Sequence, residues 1–235
     1  QLFMSAAQKT LVWDLPTRFF HWSLAICFAG AWISHEIGVE GFEIHTFFGC
    51  SILTLVLWRL CWGLFGTRYA RFLSFVRGPR AVFRYLGGGE EHHGVAGAGH
   101  NPAGGWAILA MLALLVAQAG SGLANGGELL MEGPWYHTLS STYRNLAHEI
   151  HELGFNLLLG LVGLHLAAVL FYRVRHGRKL VSAMLTGKQD TSPGVPEISS
   201  HGLWRALALL ALCAALVWAL VSAAPPPPID GMDFF

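Results

Sequence analysis

Two histidines fourteen residues apart, His151 and His165, lie in the very apolar run HELGFNLLLGLVGLH. On a helix they return to within about 40° of one face and stand roughly 21 Å apart along the axis. That spacing puts one imidazole in each leaflet of a bilayer. Titratable groups facing the interior of a membrane bundle are costly and mark a function. Neutral imidazoles suit iron, so a second matching pair would complete two bis-histidine b-haem sites. His21 opens one apolar run at its inner end, and His45 opens the next at its outer end. Matching by level pairs His45 with His151 and His21 with His165. Singly, each also reads as a polar residue hydrogen-bonded across helices. Four that agree in depth and face read as ligands. His148, three residues before His151 and one turn nearer the outer surface, stays open as an alternative to it. Zinc fits poorly, because no cysteine or carboxylate joins either pair at mid-membrane depth.

Other residues gather around these pairs. Arg59 is fourteen residues beyond His45 and so faces the bundle at the level of the inner pair. A guanidinium there can pair with haem propionates; its other reading is a terminal arginine snorkelling to the interface. Arg18, about one turn before His21, has the same two readings. Gly49 lies four residues after His45 on the same face, and Gly154, Gly163, Gly120 and Gly122 lie on neighbouring runs. Glycine lets a backbone approach a flat porphyrin, and it also serves ordinary small-residue helix packing. His100, with Asn101 and the basic inner loop, is a candidate quinone site, since quinone reduction needs a proton source. The alternative there is a polar cap to the third span. Cys27, Cys50, Cys61 and Cys213 all fall in apolar runs, where packing explains them. None forms C-x-x-C-H, so covalent haem attachment is not expected.

The elements that must position these residues are membrane helices. The 235-residue chain is 54% hydrophobic and 12% charged, where a soluble domain carries about 25% charged. Five runs reach the roughly 20 residues a span requires: 18–35, 45–64, 103–124, 146–172 and 203–223. The first reads as a span rather than a cleaved leader, because His21 and Trp22 lie inside it and no small-residue cleavage motif follows. Of the 15 basic residues, only Arg144 falls on the outer side of this topology. The positive-inside rule then makes the N-terminus cytoplasmic and the C-terminal tail periplasmic. The outer segments collect Glu36, Glu40, Glu43, Glu128, Glu132, Glu149, Glu152, Asp230 and Asp233, an acidic face.

The connections carry signals as well. Between Arg68 and Leu86, arginines alternate with Phe72, Phe75, Val76, Val82 and Phe83, which reads as an interfacial amphipathic stretch. Gly78-Pro79 should break it into two short helices. Gly87 to Pro102, with His92, His93 and His100, reads as a flexible Gly-rich loop. Trp135 and Tyr136 should lie at headgroup level in an outer loop, and Pro225–Pro228 cannot continue the fifth helix.

The run WDLPTRFFHW (residues 13–22) resembles the opening of the bacterial cytochrome b561 family, which includes the b-type cytochrome subunit of nickel–iron hydrogenases. IHTFFG…WRLCWGLFG, HNPAGGW and HEIHELGFNLLLGLVGLHLAAV followed by LVSAMLTGK resemble that family's second helix, third-helix start, and fourth helix with its tail. The resemblance covers roughly residues 11–188. It implies a four-helix core that binds b haem and exchanges electrons with quinone, with ligands at His21, His45, His151 and His165; it favours His151 over His148. The expected fold is therefore an all-α membrane bundle of four helices with two b haems, residues 1–188, followed by a linker, a fifth transmembrane helix and a Pro-rich tail, residues 189–235. The expected function is electron relay in the bacterial inner membrane between a periplasmic hydrogenase or c-type cytochrome and the quinone pool. A stand-alone superoxide:quinone oxidoreductase is the alternative, although an acidic face suits an anionic substrate badly. A non-redox scaffold would leave the four histidines without a use. No nucleic-acid partner is expected.

Overall fold

A computed structural model describes residues 8–87, 99–126 and 131–226. The expectations for His92, His93, Glu128 and the tail with Asp230, Asp233, Phe234 and Phe235 lie outside these residues. The element order is β1 (Gln8–Leu11), α1 (Leu15–Glu36), a 3₁₀ turn (Gly38–Gly41), α2 (Phe42–Phe65), α3 (Phe72–Phe75), α4 (Pro79–Leu86), α5 (Pro102–Gly122), a second 3₁₀ turn (Tyr136–Thr138), α6 (Ser141–His176), α7 (Leu180–Thr186), β2 (Lys188–Thr191) and α8 (Leu203–Ser222).

Among the described residues, four helical segments are long and apolar enough to cross a membrane: Gly38–Phe65, Pro102–Gly122, Ser141–His176 and Leu203–Ser222. The sequence pattern predicts a fifth at 18–35. The helix is there as α1, 22 residues long, but Arg18, His21, His35 and Glu36 leave it less apolar than the other four. At 36 residues α6 is about 54 Å long, well beyond the roughly 30 Å of a hydrocarbon core. Its arginine-bearing end therefore stands clear of the apolar zone.

Local signals set the helix starts. Asp14 caps α1 by accepting from Thr17 N at 2.7 Å, with Pro16 in the first turn. Asn101 caps α5 by accepting from Gly104 N at 2.6 Å, ahead of Pro102. The basic connection is broken at Gly78-Pro79 into α3 and α4, as its sequence required. α1 packs along α2 and α5 along α6, and α2 joins the two pairs and also carries α8. Val56, Trp62, Leu112, Leu115, Leu158, Ala206 and Cys213 form the buried core, with Cys27 and Cys61 packed against it.

The purely helical expectation needs one correction. β1 and β2 pair antiparallel, from Gln8 opposite Thr191 to Leu11 opposite Lys188. Each strand has only four residues, QKTL and KQDT, too short and too polar to show alternation, and the pairing spans almost the whole chain. A second apolar cluster of Val12, Trp13, Tyr69, Ala183, Val195 and Ile198 lies under this ribbon. Gly187 makes the junction: its φ is +82°, its carbonyl accepts from Val12 N and Trp13 N, and a Cβ there would stand 2.7 Å from the Trp13 carbonyl oxygen. Among the described residues after 188, β2, Val195, Ile198 and α8 pack onto elements that precede them.

Candidate functional site

Helix periodicity brings polar side chains together at two levels. At one level, His21 of α1 faces His165 of α6 with ring centres 6.3 Å apart. At the other, His45 of α2 faces His151 of α6 with ring centres 6.1 Å apart. α6 packs along α5 rather than along α1 or α2, so both pairs meet across the seam between the two helix pairs.

These distances have a chemical meaning. Two imidazoles that each held one metal atom through a nitrogen about 2.0 Å away would have ring centres about 6 Å apart. Both observed separations match that figure. At the second level the tautomers are also set. His45 Nδ1 lies 2.8 Å from Ala31 O, and His151 Nδ1 lies 3.0 Å from Gln118 O. A carbonyl only accepts, so both Nδ1 atoms carry the proton and both Nε2 lone pairs are left for a ligand. At the first level, His21 Nδ1 is buried without a hydrogen-bond partner among the described residues. Among the described residues, no group of three or more His, Cys, Asp or Glu could hold a metal ion. A metal held by two of these histidines would need further donors from a cofactor, which a porphyrin would supply.

The first level is also rich in cationic groups. Arg59 is 3% exposed. Its Nη2 donates to Ala70 O at 3.1 Å and its guanidinium lies 5.0 Å from the Phe72 ring centre, while Nη1 has no partner among the described residues. Arg18 donates from Nη1 to Leu185 O, and its buried Nε has no partner among the described residues. The snorkelling reading of Arg59 is therefore replaced: α3 folds back over the end of α2 and encloses it. Unpaired, buried guanidinium nitrogens are where carboxylates are held.

His100 differs from its expected setting. In place of a flexible loop it is packed against Trp13 and Phe75, with ring centres 4.6 Å and 4.8 Å away. Burial, with the Arg59 guanidinium and His165 nearby, pushes its imidazole down to about 3. It is thus neutral at physiological pH and offers a hydrogen bond rather than a stored proton. Asn101 Nδ2 donates to Tyr172 Oη at 3.0 Å, and Tyr172 is also hydrogen-bonded to Tyr85, so a short polar chain runs beside it.

The glycines divide. A Cβ on Gly122 would stand 3.0 Å from the His151 ring and one on Gly154 2.5 Å from Gln118 Oε1, so these two permit close helix packing. Gly49, Gly120 and Gly163 have nothing within 4 Å of such a Cβ, the open flank a flat ring needs. His148 turns away to Asn125 Oδ1, at 3.1 Å, and towards Glu152. His35 went unnoticed in the sequence reading. Its ring lies 5.7 Å from that of His45. The missed signal is the interval itself: His21 and His35 are fourteen residues apart, like His45 and Arg59 and like His151 and His165.

Apolar helices that bring paired imidazoles together at two levels, with cations beside one pair, define a membrane bundle built for a ring-shaped metal cofactor. The family model for prokaryotic cytochrome b561 matches residues 12–187, and the chain belongs to that family. It is accordingly a membrane b-type cytochrome: it binds b haem, lies in a lipid bilayer and transfers electrons with redox partners. No curated protein and no solved structure matches the chain. α8 and the tail lie beyond the matched residues.

Proposed function

We propose that the chain is a di-haem cytochrome that relays electrons across the bacterial inner membrane between a periplasmic redox protein and quinone. The observation that carries this is the pair of facing imidazoles at each level, 6.3 Å and 6.1 Å between ring centres, on helices where both levels share α6. His21 and His165 hold the inner haem; His45 and His151 hold the outer one. Bound there, each haem supplies a one-electron couple. Ala31 O and Gln118 O orient the outer imidazoles. Arg59 and Arg18 hold propionates at the inner level. Gly49 keeps the flank of α2 open to the outer ring.

The di-haem core occupies residues 1–188, α1 crosses as the partner of α2 with Arg18 and His21 turned inward, and 189–235 adds a fifth helix and tail. The concentration of arginines and lysines at the end of the bundle holding β1, α4 and β2 supports a cytoplasmic N-terminus. At the opposite end, the described outer residues include Glu36, Glu40, Glu43, Glu132, Glu149 and Glu152 against Arg144. That field favours a basic partner, a hydrogenase or c-type cytochrome surface, over superoxide. Quinone meets the inner haem near His100, Asn101 and Tyr172. The neutral His100 positions the quinone by a hydrogen bond, and the proton comes from the cytoplasmic water.

The test uses the purified chain in proteoliposomes. Quinol should reduce the haems, or quinone reoxidise them, at least about tenfold faster than free haem in the same vesicles. An absent b-haem band in the reduced-minus-oxidised spectrum, or rates equal to free haem, overturns the reading. His100→Gln should slow the quinone reaction while both haem bands persist; an unchanged rate moves the quinone site elsewhere.

A further inference from the structure

The end of α2 and the start of α8 enclose a groove that the haem reading does not use. It has a volume of about 630 Å³ and is lined by Leu64, Phe65, Gly66, Arg71, Arg205, Ala208 and Leu209. Its walls are apolar: Leu64 and Phe65 are among the exposed large hydrophobic residues, and Ala208 and Leu209 come from the first turns of α8. Its charged members are Arg71 and Arg205, both exposed. Among the described residues neither guanidinium has a salt bridge or a side-chain hydrogen bond. Trp58 Nε1 donates to Ala206 O at 2.8 Å, which fixes α8 against α2 beside the groove.

We propose that this groove binds one anionic phospholipid, its phosphate between Arg71 and Arg205 and the start of an acyl chain along Leu64, Phe65 and Leu209. Three observations favour a lipid. The groove lies where two membrane-crossing helices reach their ends, the depth at which headgroups sit. Two unpaired cations want a diffuse anion that an apolar wall also accepts, and a phosphodiester with a hydrocarbon tail is that molecule. One wall is α8, outside the family-matched residues, so the addition itself completes the site. The fifth helix then has a role that does not require the haem assignment: it fastens the basic end of the bundle to anionic lipid.

The experiment is native mass spectrometry of the full-length chain, delipidated in detergent and titrated with phosphatidylglycerol, phosphatidylcholine or inorganic phosphate. One phosphatidylglycerol should bind preferentially over phosphatidylcholine, and Arg71→Gln/Arg205→Gln should weaken it about tenfold or more. Both side chains are exposed and unpaired, so far-UV circular dichroism of this variant should match the parent. Arg71→Lys/Arg205→Lys keeps the charge and should retain most of the binding; it also serves if the glutamine pair does not fold. Arg80→Gln/Arg84→Gln, on the interfacial helix α4, should leave the bound lipid in place. Equal affinity in the parent and the glutamine pair overturns the proposal. So does an equal loss in the α4 variant, which would mean general surface charge, or displacement by millimolar phosphate, which would mean a soluble anion.

Discussion

If the parent holds the two haems proposed above, His165→Ala is expected to purify with one per chain, by pyridine haemochrome assay against protein. The remaining haem should keep the spectrum and midpoint potential of the outer site. His21→Ala should give the same product, because both imidazoles face one ring position 6.3 Å across. His45→Ala and His151→Ala should give the complementary one-haem protein. The effect would be large because each of the two histidines would supply half of the protein's bonds to the iron of a haem held there. Millimolar imidazole should restore haem in the inner variants by standing in for the missing side chain. A parent protein with one haem per chain would end the two-site reading. Loss of both haems in every variant would mean that the sites are not independent. His35→Ala separates a further possibility: its ring lies beside His45, and loss of the outer haem in that variant would make His35, not His45, the ligand.

What the sequence made legible follows from range. Periodicity within one helix is local, so the fourteen-residue interval found His151 and His165, and with it the levels of His45, Arg59 and His21. The same interval would have found His35, had it been applied along α1. The break at Gly78-Pro79 and the caps at Asp14 and Asn101 are local too. The illegible features are the long-range ones. Nothing near QKTL announces KQDT as its partner, almost the whole chain away. Nothing in the Gly-rich stretch announces that His100 is drawn between Trp13 and Phe75, because those aromatics come from two other segments. Arg59 read equally as a terminal, snorkelling side chain until α3 was seen folding over it.

Asp14 shows how such long-range closure is held, and its removal carries the second large expected effect. Its carboxylate is 1% exposed. It accepts from Thr17 N at 2.7 Å, from Trp62 Nε1 at 3.0 Å and from Thr67 Oγ1 at 2.5 Å. It therefore caps α1, anchors the end of α2 and ties down the turn that leads to α3. Asp14→Ala removes a helix cap worth about 1 kcal/mol. It also strands two buried donors, at about 1–3 kcal/mol each. The sum, about 3–7 kcal/mol, should lower the melting temperature by roughly 10–20 °C. Asp14→Asn should fall between. Its oxygen can still cap Thr17, and the Thr67 hydroxyl can turn to accept from its amide, but Trp62 Nε1–H then meets a second donor. Trp62→Phe removes that conflict, so Asp14→Asn should cost less stability when combined with Trp62→Phe than it costs in the parent. The measurement is the circular-dichroism melt, in detergent, of the parent, the two single variants and the double variant, with Asp14→Ala alongside. A melting temperature for Asp14→Ala within a degree or two of the parent would mean that the buried carboxylate does not hold the inner end together. Additive losses in Asp14→Asn/Trp62→Phe would mean that the Asp14–Trp62 contact carries none of it.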